Sequence, residues 1–177
     1  METSDQNRFE HAAVDLSRED FLDSVLMALS STLQNTVGVK EASGFVSLVG
    51  MTVGEEIRTR YERANGNRPL DREALVSALV DLKRRIGGDF YVISDEGSRI
   101  VLGNRRCPFG DKVRGRPSLC MMTSNVFGRL VAESQGYGRV TIDEAIASGH
   151  SGCRVVIDLD PDDGTGHGRR YHRAHAP

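Results

Sequence analysis

Three cysteines, Cys107, Cys120 and Cys153, are the residues of this chain best suited to chemistry. Each stands beside a small or turn-forming residue, in Cys107-Pro108-Phe109-Gly110, Leu119-Cys120-Met121-Met122 and His150-Ser151-Gly152-Cys153. A thiolate is both a nucleophile and a soft metal ligand. Sulfurs carried by a loop, a helix start and a strand start would, if they converge, hold zinc or an iron–sulfur cluster. Three thiolates with one imidazole is an accepted zinc set, which makes His150 the fourth candidate ligand. No Cys-x2-Cys knuckle is present, and Met121 and Met122 beside Cys120 leave monovalent copper as a further option, although core packing explains Met122 more simply.

Each cysteine also has an ordinary reading. Cys153 as a small hydrophobe in a strand is as good an explanation as a ligand. Cys120 falls in a first helical turn, where free amides and the helix dipole favour thiolate over thiol, so it is the expected reactive sulfur. Residues 103–117 carry Arg105, Arg106, Lys112, Arg114 and Arg116 against Asp111 alone. That charge would lower nearby thiol pKa values or dock an anion, but a solvated loop is the better reading, and without an aromatic platform nucleic acid is not expected. Catalysis finds little support. There is no phosphate-cradling glycine loop, His-Glu-x-x-His pair or Gly-x-Ser-x-Gly elbow, so an enzyme is not expected, and the residual case is a thiol enzyme or redox switch pairing Cys120 with His150.

These residues need elements to position them. Ser17 opens a helix in which Leu22, Val25, Leu26, Leu29 and Leu33 share a face until Gly38, and Ser43 opens a second in which Phe45, Val49, Val53, Ile57 and Tyr61 step by four. Gly50 and Gly54 mark close packing against another element. Asp71 caps a third helix with the stripe Leu75, Leu79, Leu82 and Ile86, ended by Gly87-Gly88. Two β-prone runs around 90–93 and 99–102 flank a turn, Ser118 caps a fourth helix to about residue 135, and strands at 137–142 and 153–159 close the domain. Alternation along the last strand turns Cys153, Val155, Ile157 and Leu159 toward the core. The expected fold is α+β: three N-terminal helices, then an antiparallel four-strand sheet with a helix between its two hairpin halves. Residues 1–16 and the Gly-, His- and Arg-rich 161–177 read as disordered, leaving 17–160 as one sensor-like domain.

A chain of 177 residues with 38% hydrophobic and 27% charged content makes one ordinary core, and its net charge of −2 offers no field to nucleic acid or membrane. Nothing approaches the roughly 18 apolar residues of a membrane span. A cytoplasmic location is expected, where three cysteines read as thiols or ligands rather than as a disulfide framework.

The run Cys107-Pro-Phe-Gly, then Leu119-Cys120 leading into Thr123-Ser124-Asn125-Val126-Phe127-Gly128, then Gly152-Cys153 before a strand, resembles the family called methanogen output domain 1. The resemblance covers residues 20–160. It implies a signalling role, a layout similar to the 4-vinyl-reductase-type ligand-binding domains, and the three cysteines as site residues without saying what they hold. In the related phenol-sensing domains, cysteines and a glutamate hold zinc at other spacings.

The leading expectation is therefore a cytoplasmic regulatory domain that binds a metal ion or iron–sulfur centre through Cys107, Cys120 and Cys153 and reports it to a signalling partner. The alternatives are a module for a small apolar effector held by Phe90, Val92, Phe127 and Leu130 with a structural zinc, and the Cys120 thiol switch. A homodimer through the apolar faces of the first two helices suits all three.

Overall fold

The computed structural model describes residues 12–161 and 166–173. Its first element, α1, runs Arg18–Ala64. Ser17 caps it, its side-chain oxygen accepting from the Asp20 N–H at 3.0 Å, a bond worth about 1 kcal/mol. The expected boundary at Gly38 is a kink inside this element, with φ 85° and ψ 163°, backbone angles that only glycine adopts freely. The helix then resumes at once. Ser43 is not a cap but a mid-helix residue whose hydroxyl donates to the Val39 carbonyl at 2.7 Å. Two N-terminal helical elements, α1 and α2 (Arg72–Arg85), thus replace the three expected, with Asp71 capping α2 through the Ala74 N–H at 2.9 Å.

α1 turns inward only part of the face its leucines suggest, with Leu26 packed on the cluster around Met27. Met27 and Ser30 are buried, while Leu22, Val25 and Leu29 face solvent, Leu29 at 64% exposure. Beyond the kink, Ala42, Ser47, Gly50 and Gly54 are the buried positions. Val53, Ile57 and Tyr61 pack on the main core, whereas Phe45 and Val49 are exposed. The physical reason is the neighbour. α3 (Cys120–Gln135) lies so close that a Cβ at Gly50 would stand 2.8 Å from the Asn125 Cβ, and one at Gly54 would stand 3.2 Å from the Arg129 Cβ. Small residues admit that approach and bulky ones are turned away. Along α2, Leu75, Leu79 and Leu82 are buried as expected, but Ile86 is the half-exposed C-cap.

Among the described residues the sheet has five strands, one more than expected: β1 (Phe90–Glu96), β2 (Arg99–Asn104), β3 (Tyr137–Glu144), β4 (Cys153–Asp158) and β5 (Arg169–His172). Their order is β1-β2-β4-β3-β5, every neighbour antiparallel. α3 separates the two hairpin halves as expected. β5 comes from the segment expected to be a disordered tail. The edge of β3 offers it unpaired backbone groups from Tyr137 to Val140, and its Tyr171 hydroxyl hydrogen-bonds Ser124 Oγ at 2.8 Å. Residues 12–16, also expected to be disordered, are exposed and form neither helix nor strand, and 1–11, 162–165 and 174–177 lie outside the described residues.

One large cluster fills the space between helices and sheet, including Leu75, Leu79, Phe127, Ile100, Val155 and Ile157. A smaller one gathers Met27, Val113, Leu119 and Ile146 beneath the N-terminal half of α1, with all three cysteines packed against it. Among the described residues no helix is long and apolar enough to cross a membrane.

Candidate functional site

Strand register brings two of the cysteines together. Cys153, the first residue of β4, pairs with Asn104, the last of β2, so the loop that carries Cys107 starts beside it. The Cys153 sulfur accepts from Asn104 Nδ2 and from the Ile146 N–H, both at 3.5 Å. Cys120 arrives from another direction as the first residue of α3, after a 3-10 turn over Pro117–Leu119. Ser118 does not cap α3. Fully buried, it instead donates through its N–H and hydroxyl to Gln34 Oε1 of α1.

All three cysteines line one cavity of about 30 Å³, walled otherwise by Asn104, Thr123 and apolar groups such as Phe90, Phe109, Val113 and Val155. An apolar cavity that binds benzene measures roughly 150 Å³, so this one has room for a single ion or a water. It sits at the seam of the two hydrophobic clusters.

Lys83 was not legible as a site residue, yet it stands behind this pocket. It occupies α2 four residues after Leu79, on the buried face, at 4% exposure. Its ammonium donates to Thr123 Oγ1 at 2.7 Å and lies 5.3 Å from the Phe90 ring centroid and 5.1 Å from that of Phe127. Burial pulls its pKa down to about 8, while the charges of Cys107, Cys153 and Cys120 act in the opposite sense. The signal in the sequence was a lysine in register with an apolar stripe, which reads equally well as the edge of that stripe.

The expectation of a low-pKa Cys120 is overturned. Burial pushes its thiol up to about 12, and the neighbouring cysteines add to that rise. Cys107 is also raised by burial. Desolvation of a thiolate in an apolar seam outweighs the helix start. The basic loop does not offset it, because its cations are engaged elsewhere. Arg116 Nε donates to Ser31 Oγ at 2.7 Å and to the Met27 carbonyl at 3.3 Å, Arg106 Nε donates to the Gly87 carbonyl at 2.9 Å, and Lys112 pairs with Asp23 at 3.6 Å.

His150 is exposed, its Nδ1 turned to the backbone of Ala145, and it does not line the cavity. Among the described residues no group of three or more His, Cys, Asp or Glu side chains is arranged to hold a metal ion. The donor set of three sulfurs still suits a thiophilic ion, and the buried cation behind it suits a thiolate centre. Of the residues expected to hold an apolar effector, Phe90 lines the cavity, Phe127 and Leu130 are in the main core, and Val92 is exposed. Met122 packs against the main core.

The run from Thr123 to Gly128 is explained residue by residue. Thr123 takes the Lys83 bond, Ser124 holds Tyr171, and Asn125 donates to the Met121 carbonyl at 2.7 Å on the face that meets Gly50. Val126 and Phe127 fill the core. Gly128 has no Cβ because one would stand 2.2 Å from the Tyr171 ring.

Comparison with known proteins bears on this geometry. The family model described as methanogen output domain 1 matches residues 25–158. No curated protein matches the chain. Among solved structures, the phenol-responsive sensory domain of the transcription activator PoxR, crystallised with phenol, is similar in fold, with TM-score 0.61 at 16% identity over 77% of this chain and 73% of that one.

Proposed function

The chain belongs to the methanogen output domain 1 family, and from that premise we propose that it is a regulatory domain whose effector site is the pocket of Cys107, Cys120 and Cys153, with a thiophilic metal ion or an iron–sulfur centre as effector. The observation that carries this reading is that all three cysteines of the chain, delivered by three separate elements, line one small pocket with a lysine buried behind it. Zinc or a cluster would supply a cross-link between those elements. Because the sulfurs do not stand ready-arranged, binding draws the Cys107 loop and the start of α3 toward Cys153.

The route outward runs through the turn before α3. Gln34 holds Ser118 and also donates to the Gly115 carbonyl at 3.1 Å, and Arg116 is bonded to Met27 and Ser31. A shift of Cys120 therefore reaches the N-terminal half of α1. The exposed Leu22, Val25 and Leu29 on that half form the surface a second copy or a signalling partner would read. A Leu22→Glu, Leu29→Glu variant that sediments like the parent protein would remove the second copy from this scheme.

A small apolar effector is the second reading, favoured by the apolar cavity walls and by the phenol-bound sensory domain of similar fold. It requires the cavity to open well beyond about 30 Å³.

Elemental analysis and an absorption spectrum of tag-free protein purified without oxygen, beside a variant with all three cysteines changed to serine, test the leading reading. Cysteine-dependent iron with visible absorption means a cluster, and cysteine-dependent colourless zinc means a thiolate ion site. Absence of any cysteine-dependent metal rejects the metal reading and leaves the apolar effector.

A further inference from the structure

Lys83 is a buried cation. Among the described residues no carboxylate pairs with it, and its Nζ is met by the Thr123 hydroxyl and two aromatic rings. Rings and a hydroxyl compensate a buried ammonium only in part, and an unpaired buried charge is costly to keep. A methionine or leucine at this position of the α2 stripe would avoid that cost. The acidic groups that act on Lys83 are the three cysteines, and Thr123, its hydrogen-bond partner, is itself a wall of their cavity.

Resting on the metal-site reading above, we infer that Lys83 is the built-in counter-charge of an anionic centre formed when Cys107, Cys120 and Cys153 enclose a divalent cation. Three thiolates around a divalent ion leave one negative charge, and the Lys83 ammonium cancels it. A monovalent ion would leave two, one of them uncompensated in an apolar seam. A neutral apolar occupant would draw nothing from the ammonium. The lysine thus sets which charge state the pocket accepts without touching the ion, and the fold keeps it at the expense of stability while the pocket is unfilled.

The test is a titration of reduced protein with Cd2+ alone, without oxygen, followed by the ultraviolet thiolate-to-cadmium absorption, for the parent chain and for Lys83→Met and Lys83→Arg. Lys83→Met should bind Cd2+ at least about tenfold more weakly, and Lys83→Arg, which keeps the charge, should recover part of that loss. Metal-free Lys83→Met should unfold at the same temperature as the parent or higher, since a buried charge has gone. Lower affinity with undiminished stability separates a charge role from general damage. If Lys83→Met does not fold, Lys83→Gln takes its place under the same criteria. Equal Cd2+ affinity in parent and variant overturns the inference alone and leaves Lys83 as a core-filling residue. A parent chain that takes up no Cd2+ overturns the metal reading, and this inference falls with it.

Discussion

Lys83 of α2 donates to Thr123 Oγ1 of α3 across 2.7 Å, joining the two helices at the wall of the cysteine pocket. That hydroxyl is the hydrogen-bond acceptor of a buried ammonium, so its loss falls on a charge that has no carboxylate to turn to among the described residues. Thr123→Val should therefore destabilise the metal-free protein by about 1–3 kcal/mol, and Thr123→Ser, which keeps the oxygen, by clearly less. Urea unfolding of both variants checks this. Equal losses for valine and serine would mean that packing of the methyl group, and not the bond to Lys83, sets the cost.

Lys83 also predicts a pH dependence. Its folded pKa, lowered by burial to about 8, lies below the ordinary 10.5. Above pH 8 the unfolded chain therefore holds a proton that the native state has released, and stability rises with pH. Cys120 acts oppositely. Its thiol, raised to about 12 from 9.0, keeps a proton that the unfolded chain loses above pH 9. Between pH 8 and 9 the metal-free parent should gain about 1 kcal/mol relative to Lys83→Met, the opposing contribution of the raised Cys120 and Cys107 being common to both proteins. Parallel denaturation curves at the two pH values decide it.

Cys120 should be a slow nucleophile in the metal-free protein. A thiol raised to about 12 by burial carries far less thiolate at neutral pH than one at its ordinary 9.0. Iodoacetamide should label Cys120 at least about 100-fold more slowly in native than in unfolded protein. Labelling at the unfolded rate, followed by peptide mass spectrometry, would restore the thiol-switch alternative.

Gly50→Ala should weaken the fold despite improving helix propensity. The added Cβ would stand 2.8 Å from the Asn125 Cβ, an atom with no freedom to swing aside. Relief needs α1 and α3 to separate, at a cost of about 1–3 kcal/mol set against roughly 1 kcal/mol of propensity gained. Gly44→Ala, with open space around its Cβ, is the control and should be neutral or stabilising. A Gly50→Ala variant as stable as the control would show that the two helices are free to part.

Local signals carried much of the architecture. The caps at Ser17 and Asp71, the turn between β1 and β2, the glycine that ends α3 and the alternation that turns Val155 and Ile157 inward all act between near neighbours in the chain. The signals that misled were local ones overruled by a partner. Leucines at helical spacing marked the inward side of α1 only in part, Leu26 packing on the smaller cluster while Leu22 and Leu29 face solvent, because α3 and the turn before it accept small and polar residues there. Gly38 did mark a break in regular helix, which the structure keeps as a kink with non-helical angles after which the helix resumes. A Gly- and Arg-rich tail supplied a strand because β3 had an open edge and Tyr171 had a place against Gly128.

The three cysteines as candidates, the family resemblance and the α+β class were fixed by residue types and short-range pattern, which survive whatever the chain meets in space. Tertiary structure decided that the three line one pocket, that His150 stands outside it, that burial raises Cys120 instead of the helix start lowering it, and that Lys83 supplies the cation behind the thiols. Those outcomes depend on desolvation and on contacts between residues far apart in the chain, such as Lys83 with Thr123 or Asn104 with Cys153. Such energies belong to the neighbours a side chain acquires on folding, and spacing along one strand or helix carries no record of them.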